Sequence, residues 1–544
     1  MSMSAAGLSA TVGTTLPALL RERAAEIPDR TYVEDVDDRR LTYGEAFEMM
    51  RRFAGAYGRA GVGAGDHVVT MQFNTIESMA GWLGLACLGA VETPINTDYK
   101  GELLAHALNT ARCRTMALRR DYLERVVAIS ADLPHQKTVI LVDGDGARAA
   151  APFEIIGAEE FLWPAQLAGE ARDPAPWEIA AVMFTSGTTG PSKGVRMPWG
   201  QLFATASTTM PIRDLGPSDV FFNAGPTYHL GAKVFPMLAA MLGARHVMRP
   251  YVSLTRQPAE YRKHGVTTAF FPPMAWLDEP PRAADAEVAF RNLLLPLSIP
   301  RIDEFKRRFG VRTFSVYSMT ELSCPIGDLD WDIGKVSKEG LFSCGVVRAG
   351  YPGYEARLVD EWDQPVPTGA VGELIVRTSA PWTTNAGYLN NPEATAQAWR
   401  NGWFHTGDAF SQDAEGHFYF RDRIKDCIRR RAENISSFEV ESYVRKHPGV
   451  ADCAAVAEKL SPEPGADEEI RLFVVRKAPG DLTADALAAW LVPRMPRFMV
   501  PRFIELIDAL PQTPTMKVQK ALLRGRPRTE AVWDRERAGL VAPR

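Results

Sequence analysis

Leu16, Leu19 and Leu20 fall on one face at helical spacing, and a second helical stretch, 43–57, follows Thr42, a residue type that caps helix N-termini. Residues 16–60 therefore read as helical. Gly61-Val62-Gly63-Ala64-Gly65-Asp66 then precedes a strand-like run, 67–73. These glycines come before the strand, so they read as a tight turn. A dinucleotide-binding fingerprint needs them between a strand and the helix after it. Short apolar runs at 139–142, 180–184, 220–223, 267–271 and 313–317 alternate with helical stretches, among them 231–242. That rhythm predicts an α/β fold of layered mixed or parallel sheets. From about residue 345 the texture changes, and short strands at 355–359, 372–377 and 417–420 lie between Gly and Pro turns. The expected organisation is a large N-terminal domain, 1–422, with a β-rich subdomain at about 345–422. A small mobile α+β C-terminal domain, 423–544, completes it, and a basic run from Arg423 to Arg431 marks the junction.

At 544 residues the chain is too long for one ordinary domain, and 46% hydrophobic residues supply a sizeable core. Its formal net charge is −4, from 62 basic and 66 acidic residues. That balance argues against a protein devoted to nucleic acid. No run approaches the ~20 apolar residues that span a bilayer, and the N-terminus lacks a secretory pattern. The six cysteines are scattered, without a C-x-x-C pair. Neither a disulfide framework nor a structural zinc site is expected, and a reducing cytoplasm fits.

The strongest local signal is Thr185-Ser186-Gly187-Thr188-Thr189-Gly190-Pro191-Ser192-Lys193-Gly194, directly after the apolar run 180–184. Glycines and small hydroxyl residues after a strand let backbone N–H groups and hydroxyls face an anion, and Lys193 adds a point charge suited to polyphosphate. Its spacing is not that of a Walker A loop, because Gly194 follows Lys193. Read alone, the later Thr320-Glu321 pair is equally a helix cap with a first-turn acid. Asp408 alone is equally a turn residue.

The loop resembles the phosphate-binding signature of the adenylate-forming superfamily: acyl-CoA synthetases, aryl-CoA ligases, luciferases and peptide-synthetase adenylation domains. Four further segments are similar to elements of that family. They are Tyr317-Ser318-Met319-Thr320-Glu321, Gly402-Trp403-Phe404-His405-Thr406-Gly407-Asp408, Asp422-Arg423-Ile424-Lys425-Asp426 with the hairpin after it, and Pro511 to Lys520. The phrase around Glu433-Asn434-Ile435-Ser436-Ser437 looks closest to the carnitine and fatty-acid CoA ligase branch.

The resemblance implies ATP-dependent activation of a carboxylic acid as an acyl-adenylate, with pyrophosphate leaving, followed by transfer to CoA. It implies phosphate contacts from Thr185, Ser186, Gly187, Thr188, Thr189, Gly190 and Lys193, and adenine stacking on Tyr317 beside Ser318. Asp408 and Arg423 would meet the ribose, Thr320 the α-phosphate, and Glu321 would hold Mg²⁺. Lys517 would be the catalytic lysine, and the cap would turn at Lys425 between two poses. His229 matches a position beside the acyl pocket and the pantetheine entrance. Tyr228, Lys233, Pro296 and Met319 fall in stretches expected to line the pocket. Two readings of Lys233 stay open: a charge facing the acyl group, or a side chain reaching from its helix to water. Symmetry favours a homodimer if copies associate.

Three positions depart from the pattern. Ser318 and Ala432 stand where glycines are common, and an adenine-loop sequence expected before Tyr317 is replaced by Leu293 to Ser298. Ala432 falls near the expected pantetheine path. It therefore keeps open a relative that passes its adenylate to an amine or a carrier protein, or activates nitrite to diazotise an aromatic amine. A non-catalytic nucleotide-binding protein on the same fold is the reading of another class. The joint presence of Thr320, Glu321, Asp408, Arg423 and Lys517 speaks against it.

Overall fold

The computed structural model describes residues 14–144, 151–162, 171–185, 192–295, 301–337, 341–348, 350–423, 426, 428–430, 433–460, 468–478, 482–495, 499–513, 517–530 and 532–540. Two large sheets form the main body, one of nine strands and one of seven. In the seven-stranded sheet the strands His67–Met71, Val91–Pro94, Thr115–Leu118 and Thr138–Leu141 run parallel. Its edge hairpin pairs Ile179–Phe184 antiparallel with Gly194–Pro198. The parallel centre of the nine-stranded sheet includes Val220–Asn223, Arg245–Met248, Asn292–Leu295 and Arg312–Tyr317. Strands this buried read as continuous apolar runs, which is why those near 139–142, 180–184, 220–223 and 313–317 were visible in the sequence.

Helices Tyr43–Arg59 and Ile76–Leu88 pack together against these sheets. Thr42 closes a full capping box with Glu45, satisfying N–H groups that the first turn leaves unpaired. The largest core cluster draws on both sheets and includes Leu16, Trp82, Met183, Trp199, Phe203, Phe235 and Phe314.

The expectation of continuous helix over 16–60 is corrected. Helix Leu16–Glu26 ends, and a hairpin of Thr31–Asp35 and Arg40–Thr42 intervenes before the second helix. Tyr32 and Val33 are fully buried, and Thr31–Asp35 adds to the nine-stranded sheet beside Arg245–Met248. Tertiary pairing outweighs local propensity there. Leu293 and Leu294 are buried strand residues rather than part of a loop.

A four-stranded antiparallel sheet follows, made of Tyr354–Val359, Val371–Thr378, Phe404–Gln412 and Phe418–Arg423. The C-terminal unit has its own core around Ile428, Val440, Cys453, Leu472 and Leu487. Its sheet pairs Val450–Lys459, Glu468–Arg476, Phe503–Ile507 and Trp533–Asp534. At the junction Ser437 donates its amide and hydroxyl to the buried Asp422 carboxylate, and Arg524 pairs with Asp426 at 2.7 Å. Among the described residues no helix is long and apolar enough to cross a membrane.

Candidate active site

The site forms where three elements converge. Strand Arg312–Tyr317 ends at Tyr317, whose ring meets Phe410 of the four-stranded sheet edge to face, with centroids 5.0 Å apart. The Tyr317 hydroxyl donates to Asp408 Oδ2 at 2.7 Å. Asp408 sits opposite Arg423 in the antiparallel register, and the Arg423 Nε lies 3.8 Å from its other oxygen. Burial raises the Asp408 pKa, while Tyr317, Arg423 and Lys517 act to hold the carboxylate charged.

Past Tyr317 the chain turns through Ser318, Met319, Thr320 and Glu321, and the turn is tied from two sides. Gln201 of helix Trp199–Thr208 donates its amide to the Thr320 carbonyl at 2.9 Å. Asn385 donates both its backbone N–H and its side-chain amide to the Glu321 carbonyl, each at 2.9 Å. Ser318 remains exposed, and the Met319 sulfur lies 3.6 Å from the Tyr317 hydroxyl.

The Glu321 carboxylate is buried and accepts a hydrogen bond from the Tyr388 hydroxyl at 3.0 Å. Burial raises its pKa, and Tyr388 and Lys193 counteract. The Lys193 ammonium lies 4.8 Å from the centre of the Tyr388 ring. Segment 386–389 reaches this position by hydrogen bonding along strand Gly194–Pro198, with Leu389 donating to Gly194 and Arg196 to Gly387. A hard carboxylate oxygen that burial leaves short of positive charge, beside two lysines suited to phosphate, fits Mg²⁺ held together with a nucleotide's phosphates.

Lys517 stands on a short hairpin. Its carbonyl accepts from the Thr513 amide at 2.8 Å, its amide donates to the Thr513 hydroxyl at 3.1 Å, and Gln512 bridges to Val518. The side chain sits in the combined field of Arg423, Asp408 and Glu321. Burial and Arg423 lower its pKa, and the two carboxylates hold it up. Lys517 keeps accessible surface while protein crowds round it, as a side chain lining a cleft does. His229 has the same character: accessible at one edge, yet packed so that its pKa is pushed down to about 4, with Lys517 adding to the effect. Either influence leaves the ring neutral near pH 7.

The structure thus gathers Lys193, Tyr317, Thr320, Glu321, Asp408, Arg423, Lys517 and His229 round one cleft. Thr185 and Lys193 close the base of the phosphate-loop hairpin through the Thr185 amide and the Lys193 carbonyl, 3.0 Å apart. Ser186, Gly187, Thr188, Thr189, Gly190, Pro296, Lys425 and Ala432 lie outside the described residues. Two expected pocket residues have partners within the protein. Tyr228 turns toward Thr97 and Asp98, where burial raises its pKa to about 12. Lys233 neither reaches water nor presents a free charge to a substrate, because its ammonium is buried against Glu92 at 2.5 Å. Tyr388 is the residue that sequence reasoning passed over. Nothing around a tyrosine in a Gly-Tyr-Leu stretch points to Glu321, 67 residues away.

Comparison with known proteins places this geometry in a family. The AMP-binding enzyme family matches residues 20–389, and the AMP-binding enzyme C-terminal domain matches 439–517. A crotonobetaine/carnitine–CoA ligase of Citrobacter koseri is 30% identical over 494 residues, covering 89% of this chain and 93% of that protein. A sulfoacetate–CoA ligase of Cupriavidus necator is 28% identical over 530 residues, covering 94% and 97%. Among solved structures, an anthranilate CoA ligase in complex with anthranoyl-AMP superposes with a TM-score of 0.79 at 22% identity, covering 94% and 97%. The o-succinylbenzoate CoA synthetase of Bacillus subtilis, in complex with ATP and magnesium ion, gives 0.78 at 22% identity, covering 94% and 99%. Tyr317 and Glu321 fall in the first matched region and Lys517 in the second, and the chain belongs to the AMP-binding enzymes, the adenylate-forming superfamily.

Proposed function

We infer that this protein is an ATP-dependent, AMP-forming acid–CoA ligase. In the first half-reaction a carboxylate oxygen attacks the α-phosphorus of ATP, giving acyl-AMP and pyrophosphate. In the second, the CoA thiol attacks the acyl carbon, giving the thioester and AMP. The observation that carries the reading is the presentation of Lys517, from the C-terminal unit, to the cluster of Tyr317, Asp408, Arg423 and Glu321 on the main body.

That placement gives each side chain a task. Tyr317 offers a face for adenine, and Asp408 accepts from ribose hydroxyls, with Arg423 keeping it charged. Lys193 is assigned to the outer phosphates, and Thr320 to the α-phosphate. Glu321 would hold Mg²⁺, which supplies charge neutralisation at the phosphates. The Lys517 ammonium meets the oxygen on which negative charge gathers as pyrophosphate departs. A preorganised cation at that point is the largest single contribution such a cleft makes to rate. Neutral His229, at the acyl end, leaves room for an uncharged approach by the thiol.

Rotation of the C-terminal unit about Lys425 then withdraws Lys517 and admits CoA. The hydrogen bonds from Ser437 to Asp422 are those the rotation has to remake. CoA as acceptor is supported by relatives named as CoA ligases that match nearly the full chain.

The test is product analysis by mass spectrometry with ATP and a panel of acids, with and without CoA. The panel includes carnitine, crotonobetaine, sulfoacetate and anthranilate. AMP, pyrophosphate and an acyl-CoA are expected from at least one acid. Acyl-AMP that accumulates and never passes to CoA would move the assignment to another acceptor.

A further inference from the structure

Helix Gly231–Leu242 carries one charged residue in an otherwise apolar sequence, and that charge is buried. The Lys233 ammonium meets Glu92 Oε2 at 2.5 Å, with side-chain exposures of 5% and 1%. Glu92 belongs to strand Val91–Pro94 of the seven-stranded sheet, so the pair bridges the two halves of the main body. Thr70, one strand over, donates its hydroxyl to the other Glu92 oxygen at 2.9 Å. The Trp82 ring lies 4.0 Å from the Lys233 ammonium.

Both ends of this arrangement lead to the active site. Trp82 donates its N–H to the Ala180 carbonyl at 2.8 Å and stacks on Trp199 with centroids 5.3 Å apart. Trp199 opens the helix whose Gln201 holds the Thr320 carbonyl. On the other side Lys233 lies in the turn that follows His229. The Ala232 amide donates to the His229 carbonyl at 3.0 Å, and the Lys233 amide to Leu230 at 2.9 Å. The cavity beside Lys233, bordered by Asn74, Trp82, Thr227 and Met248, holds about 10 Å³. That is room for one water and far too little for an acyl group.

We propose that the Lys233–Glu92 pair is a positioning device that fixes the start of helix Gly231–Leu242, and with it His229, against the seven-stranded sheet, while Trp82 and Trp199 carry the same restraint to Thr320. It rests on the reading of His229 and Thr320 as site residues. Breaking a buried, hydrogen-bonded ion pair leaves a stranded charge, so the pair tolerates one register where apolar packing tolerates several. Lys233 then sets the shape of the acid site without touching the acid.

The experiment uses the full chain with Lys233→Met and with Lys233→Met/Glu92→Gln. The single variant leaves the Glu92 carboxylate buried and unpaired, and its thermal midpoint falls. The double variant removes both charges, keeps an acceptor for Thr70, and regains most of that midpoint. Its amides over 226–234, and to a lesser degree those round Thr320, nevertheless exchange hydrogen faster than in the wild type, about tenfold in the first segment, with regions remote from the pair unchanged. This measurement needs no turnover, so its failure is distinct from failure of the ligase assignment. With whichever panel acid releases most pyrophosphate, the KM for the acid rises several-fold while the KM for ATP holds. Wild-type exchange over 226–234 in the folded double variant overturns the proposal. Should that variant not fold, Glu92→Gln replaces it, because burial drives an amine without its carboxylate partner toward the neutral form, which keeps a hydrogen bond to the amide. The same segment must then show the same acceleration, and its absence overturns the proposal equally.

Discussion

At the scale of single residues, the cleft works by pairing carboxylates with donors that keep them charged and aimed. Asp408 and Glu321 are both buried, and burial alone drives each toward its neutral form. A tyrosine hydroxyl answers each: Tyr317 for Asp408 and Tyr388 for Glu321. Replacing Tyr388 by Phe deletes one hydrogen bond to a charged group and leaves the ring that underlies Lys193. A loss of about 1.5 kcal/mol is expected, a factor of about ten in acid-dependent ATP–pyrophosphate exchange. Raising the Mg²⁺ concentration should recover part of it, and exchange at the wild-type rate would remove Tyr388 from the site.

One such pair, Tyr317 with Asp408, was legible in the sequence on both sides, and the others on one side only. Tyr317, Glu321 and Asp408 stand inside segments whose resemblance to the family singles them out. Tyr388 and Glu92 do not. Each acts through a partner brought near only by the fold, at separations of 67 and 141 residues. Both sequence readings of Lys233 assumed that its charge would seek water or a ligand. A carboxylate on another sheet satisfied it instead.

At the scale of elements, local pattern and tertiary pairing divided the outcome. The helix after Thr42 formed with the capping box its sequence offers. The expected strands at 139–142, 180–184, 220–223 and 313–317 formed within a residue or so of their runs. The hairpin 31–42 was missed because Tyr32 and Val33 gain more from burial in the sheet than helix propensity offers. The strand expected at 267–271 shortened to Thr268–Ala269, ahead of the prolines at 272 and 273.

Close approach between helices is equally silent in one sequence. A methyl group added at Gly84 would lie 2.7 Å from the Ala54 backbone nitrogen and 2.8 Å from the Phe53 Cβ. Gly84→Ala should therefore push helices Tyr43–Arg59 and Ile76–Leu88 apart and cost about 2 kcal/mol. A urea titration reads it directly. An unchanged midpoint would mean that the helices can shift without loss.

At the scale of the whole molecule, stability and catalysis answer to different groups. His246 is fully buried beside Tyr32, and burial pushes its pKa down to about 3. Between that value and the unfolded value near 6.5, the unfolded chain binds a proton that the folded chain refuses. Stability from this residue is complete above about pH 6.5 and declines as pH falls toward 3. From pH 7 to pH 5 the wild type should lose about 2 kcal/mol more than His246→Phe, measured by urea unfolding at each pH. Equal losses would place the acid sensitivity elsewhere.

In the proposed function, catalysis depends on the C-terminal unit and the main body meeting at Lys517. The most direct test compares Lys517→Ala with the wild type in acid-dependent ATP–pyrophosphate exchange, with ATP binding measured alongside by calorimetry. The account predicts that exchange falls by at least about 100-fold while ATP affinity changes little, because the lysine is used where charge develops and not to hold the ground state. Exchange that survives the substitution at the wild-type rate would contradict it.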